Sequence, residues 1–146
     1  MTTETLRLRA ESAEDFEALS ALLQDAIVPL LDLRWLPDEK RFLGVFNRYR
    51  WERGDERPGE RVLSALSIGE VRAVKRRGLD GAPGERLLNL LSIRLSEVDG
   101  ASAIDLAFSG GADIRVLADR PILLLSDLDE PYPTRFRPDH PDGATP

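Results

Sequence analysis

The chain reads as an α+β domain: one N-terminal amphipathic helix packed on an antiparallel sheet of about six to eight strands, curled into a sandwich or partly open barrel. Three observations predict this. Residues 12–27 carry a capped apolar stripe at helical spacing. The apolar period then drops from about 3.6 to about 2, the change from helix to strand geometry. Glycine and proline turns separate the alternating runs that follow. A pleckstrin-homology-like barrel is a specific version by strand count, although likeness of fold carries no function.

The first strand is "TLRLR", with Leu6 and Leu8 inward and the arginines outward. Ser12 is a good N-cap with Asp15 three residues on, and Glu11, Glu14 and Asp15 complement the positive end of the helix dipole. Phe16, Leu19, Leu23, Ala26 and Ile27 form one stripe, which Pro29 ends. Residues 30–51 read as a hairpin around "LPDEKR". On its return strand Leu43, Val45, Asn47, Tyr49 and Trp51 share one side and Phe42, Gly44, Phe46, Arg48 and Arg50 the other. The aromatic stripe shared with leucine and valine is expected to be core, which leaves the arginines outside.

"ERGDERPGE" (52–60) is a charged loop, after which Val62, Leu66 and Ile68 resume a strand that Gly69 breaks. Residues 71–78 continue as strand. "RLLNLLSIRLSE" fits a helical turn or a strand over its first half, and its second half alternates as a strand. The paired glycines of "SGGAD" between alternating runs mark a hairpin. "RPILLLSDL" (120–128) fits a strand or a short docked helix. Residues 1–128 are thus one domain. Residues 129–146, with five of the ten prolines, form an arm or tail that cannot join a sheet interior.

At 146 residues the chain can bury a real core without staples. Cysteine is absent, which excludes disulfides and thiolate chemistry and fits a reducing compartment. The first ten residues lack a signal-peptide core, and no segment approaches the roughly 20 apolar residues of a membrane span. A cytoplasmic location is expected. The net charge of −6 argues against general nucleic-acid binding. Its distribution is uneven: residues 40–77 hold eleven basic and five acidic groups, so this middle is +6 and the remainder −12. Eighteen of the twenty basic residues are arginine, the better bidentate partner for anions.

Together, "LLQDAIV", "LDLRWLPDEKRFLGVFNRYRWE", "RVLSALSIGEVRAVKRRGLD" and "FSGGADIRV" resemble an uncharacterised bacterial family, domain of unknown function 2948, seen mostly in alphaproteobacteria. The resemblance runs from about Leu6 to Asp127. It implies a bacterial protein and brings no activity, cofactor or site residue with it.

No catalytic constellation is legible. The one histidine, His140, lies in a proline-rich tail that holds metal ligands poorly, so no metal is expected. "SGG" is followed by a strand, and "GAPGE" lacks the lysine of a phosphate loop. "SDLDE" and "AEDFE" read as solvated surface and helix cap. The expectation is a non-catalytic interaction module without cofactor. Arg48, Arg50, Arg72 and Arg76 would gather on one face and dock an acidic protein partner or a second copy. The alternative is a small-ligand-binding barrel with Trp35, Phe42, Tyr49 and Trp51 lining its pocket. RNA binding through residues 40–77 is a weaker third, because the cationic face lacks stacking aromatics apart from Phe46.

Overall fold

The structure, a computed structural model, describes residues 5–138. Its opening follows from capping chemistry. Strand β1 (Arg7–Ala10) runs into helix α1 (Ala13–Leu22), where the Ser12 hydroxyl accepts from the Asp15 N–H at 3.2 Å and the Asp15 carboxylate accepts from the Ser12 N–H at 3.2 Å. Backbone N–H groups of Glu11 and Ser12 hold the Asp15 carboxyl below its usual value. The helix stops earlier than its apolar stripe does. Asp25 turns into the left-handed region at φ 65°, its N–H donates to the Leu90 carbonyl at 2.8 Å, and β2 (Ile27–Pro29) pairs instead with the strand that contains Leu90.

The hairpin consists of β3 (Leu33–Leu36) and β4 (Arg41–Tyr49), with Trp35 opposite Phe42. Next come β5 (Gly59–Ile68), β6 (Val71–Arg77), β7 (Leu87–Val98), β8 (Ala101–Phe108) and β9 (Asp113–Ala118). The chain closes with β10 (Leu123–Asp127) and β11 (Tyr132–Thr134). All pairings are antiparallel, in the order β1-β10-β5-β4-β2-β7-β8-β9-β6, with β3 on β4 and β11 on β5. Strand β7 belongs to two layers: Leu87–Asn89 pair with β2, and from Leu90 onward, across a bulge between Leu90 and Ser92, the rest pairs with β8. A bulge bends a strand and increases its twist, so one strand can pass from layer to layer. Phe42, Phe46, Leu66 and Leu125 of one half share a single core with Ile93, Ile104, Leu106 and Val116 of the other. Helix α1 lies along β7, where the Ile93 N–H donates to Ser20 Oγ at 3.0 Å. No helix among the described residues is long and apolar enough to cross a membrane.

The expected α+β plan, with its pleckstrin-homology-like version, is therefore corrected. Among the described residues eleven strands carry the fold in place of six to eight, and the α-helix is ten residues long. Two causes account for the difference. Strands of three or four residues, such as β2 and β11, are too short to display a period of two. The pairing of β2 also takes up residues whose spacing suits a helix, a tertiary override of local preference.

Gly78 shows how closely the β6 end approaches the β8–β9 turn. At φ +77° it sits where a Cβ would lie 2.7 Å from the Gly111 carbonyl oxygen and 3.0 Å from Ala112 Cα. Gly78→Ala is expected to lower stability by about 1–3 kcal/mol through strain and overpacking. Gly81→Ala is the control, since Gly81 has φ +73° with nothing within 4 Å of a Cβ. Equal urea midpoints for the two variants would show that the close approach does not matter.

Candidate functional site

The two sides of β4 are placed opposite to the expectation up to Arg48, beyond which Tyr49, on the outer side, is itself buried at 4% exposed. Phe42, Gly44, Phe46 and Arg48 point into the core, while Leu43, Val45 and Asn47 point outward and are partly exposed. The inward choice is possible because Arg48, 0% exposed, is fully paired. Its Nη1 and Nη2 donate to the Glu52 carboxylate at 2.9 and 2.8 Å, and its Nε and Nη2 donate to the Asp127 carboxylate at 3.2 and 3.1 Å. Ser64 Oγ donates to Asp127 at 2.6 Å, and the Leu6 N–H donates to it at 3.1 Å. Burial alone would raise the Glu52 carboxyl; the hydrogen bonds from Arg48 and the charges of Arg48 and Arg50 overcome it and hold the group below its usual 4.5. Arg50 pairs with Glu60 and Glu52. Arg48 and Arg50 are thus neutralised within the fold.

Arg72 and Arg76 lie on β6, which among the described residues pairs with β9 alone. Arg72 is exposed and bonded to Asp119. The surface expected from Arg48, Arg50, Arg72 and Arg76 is therefore not assembled as one patch. Nor do the four aromatics share a pocket. Trp35 and Phe42 line a cavity of about 150 Å³ with Leu33, Val74, Arg76 and Ile114. Tyr49 and Trp51 instead pack edge to face at 4.7 Å, with the Trp51 Nε1–H donating to the Gln24 carbonyl at 2.9 Å and the Arg137 guanidinium 5.5 Å above the Trp51 ring. Among the described residues no group of three or more acidic or histidine side chains is placed to hold a metal ion, and His140 lies outside them.

What the fold does assemble is the outer face of β1, β10, β5, β4 and β3. Residues directly opposite each other on antiparallel strands project to the same face. One row therefore reads Arg9, Leu124, Ser67, Leu43, Arg34, and the next reads Arg7, Ser126, Ala65, Val45. Leu124 is 41% exposed, and Leu43, Val45, Leu63 and Ala65 are partly exposed. The cations stand at the margins. Arg9 pairs with Glu11 and Arg41 donates to Ser67 Oγ at 2.9 Å, while Arg7, Arg34 and Arg41 form no ion pair among the described residues. This face was missed from sequence because its neighbouring residues lie from 9 positions apart (Arg34 and Leu43) to 119 apart (Arg7 and Ser126). The one available signal was the alternation of leucine with arginine in "LRLR" and "LDLRWL".

A family model for "Protein of unknown function (DUF2948)" matches residues 6–140. The chain belongs to this family. Neither a curated protein nor a solved structure matches it significantly. The description of DUF2948 names no activity, so for this member the outer face and its clefts are what a functional reading rests on.

Proposed function

We propose that this DUF2948 chain is a non-catalytic interaction module of the bacterial cytoplasm that docks a protein surface bearing acidic and apolar side chains. The carrying observation is the outer face: partly exposed Leu43, Val45, Leu63 and Leu124 are bordered by Arg7, Arg34 and Arg41, which lack ion-pair partners among the described residues. Apolar area supplies the driving force, while marginal charges steer and orient an oppositely charged partner. Two copies meeting through this face would bring like charges together, which favours an acidic partner over self-association. RNA is disfavoured by the net charge of −6 and because the two rows themselves hold no aromatic side chain, the exposed Tyr132 lying beyond them beside Arg61.

A titration of the isotope-labelled protein tests this. A synthetic peptide of alternating glutamate and leucine should shift resonances of Leu43, Val45, Ala65 and Leu124, with salt-dependent affinity. Arg7→Glu with Arg34→Glu should weaken binding roughly tenfold or more. Shifts elsewhere, or equal affinity of the double variant, would refute the reading. Response to polyuridylate but not to the peptide would replace it with RNA binding, and concentration-dependent shifts without a ligand would replace it with self-association.

A further inference from the structure

A second feature lies beside the docking face and is independent of it. Strand β2 meets β4 at one register position, Ile27 opposite Asn47, and this leaves a cleft of about 440 Å³. Its walls are Ile27, Leu87, Phe136 and Pro138, with Arg61 among them. Leu87 is 65% and Phe136 71% exposed, unusual for large apolar side chains, whereas Arg61 is only 8% exposed. Arg61 donates from Nε to Asn47 Oδ1 at 2.7 Å and from Nη2 to the Asn47 carbonyl at 3.1 Å. Its Nη1 has no hydrogen-bond partner among the described residues, and no wholly buried side-chain nitrogen or oxygen there lacks one, so Nη1 reaches open space.

Arg61 thus differs from Arg48. Both are buried, but no carboxylate among the described residues lies within 4.0 Å of Arg61. Burial pulls its pKa below the usual value, although a guanidinium stays charged throughout the ordinary pH range. A buried cation with no carboxylate in contact is incompletely compensated, and an anion that reaches the free Nη1 relieves this. Asp25 lines the same cleft and its charge is felt at Arg61, which disfavours a dianion. We propose that the cleft binds a small monocarboxylate with an apolar tail, its carboxylate on Arg61 Nη1 and its tail against Ile27, Leu87 and Phe136. The volume lies within the range of ordinary small-ligand sites.

Calorimetric titration of the full chain with octanoate, octyl phosphate and octanol tests the assignment. Octanoate should bind saturably and more tightly than either of the others. Arg61→Gln should weaken it roughly tenfold or more, the size expected for one charge-assisted hydrogen bond. Because a buried arginine also serves folding, Leu87→Glu is the second variant: Leu87 is exposed, so the fold should persist while the added carboxylate repels octanoate. Equal binding of octanol, tighter binding of octyl phosphate, or unchanged octanoate affinity in Leu87→Glu would overturn the proposal.

Discussion

Arg48→Met lowers the unfolding free energy by about 3–5 kcal/mol, the effect of leaving a buried charge without its partner. The stranded group is Asp127, whose side chain is 2% exposed. Ser64 and the Leu6 N–H still hold it, but two neutral donors do not replace a bidentate guanidinium. Removing both charges in Arg48→Met/Asp127→Leu leaves only Glu52, 30% exposed and able to turn to water. That double variant should be less destabilised than the sum of the singles, and strict additivity in denaturant unfolding would show that the pair is not coupled. Glu52 adds a pH signature. Its folded carboxyl lies below 4.5, so its contribution is full above that pH and is lost as pH falls through the lower folded value. The acid-induced loss in this window should shrink in Arg48→Met, where the main hydrogen-bond donor to Glu52 is gone.

Phe46→Ala costs about 3–5 kcal/mol and Leu43→Ala about 1 kcal/mol or less, although the two residues sit three apart on one strand. Phe46 is 0% exposed, and its ring fills the space beside Gly44, where a Cβ would lie 2.8 Å from it. Leu43 is on the outer side with Ser67 and Arg34 as neighbours. Comparable losses, or a larger one for Leu43, would mean that β4 presents its other side to the core. The comparison bears directly on function, since the docking face exists only if Leu43 and Val45 look outward.

The reversal on β4 marks where local reading fails. Both sides of the strand begin apolar, and one adds tyrosine and tryptophan while the other adds two arginines. Hydropathy alone favours burying the aromatics. Arg48 is buried nonetheless because Asp127, 79 positions on, and Glu52 neutralise it, while Tyr49 is buried on the opposite side and Trp51 finds cover from Tyr49, from Gln24 and from Arg137. Partners that distant leave no periodic trace. Arg61 is a parallel case, since its environment depends on a loose junction between β2 and β4 and on the chain beyond β11.

The order of amino acids by itself determined the helix start at Ser12, the hairpin around Pro37, the Gly110–Gly111 turn and the alternating runs, because capping, turn geometry and pleating act over a few residues. Tertiary structure alone decided the number of strands, the early end of α1, which side of β4 is buried, and which arginines keep an open charge. Those outcomes depend on pairings and counter-charges brought together from distant parts of the chain, where the balance of burial against charge compensation is struck only once the sheet has closed.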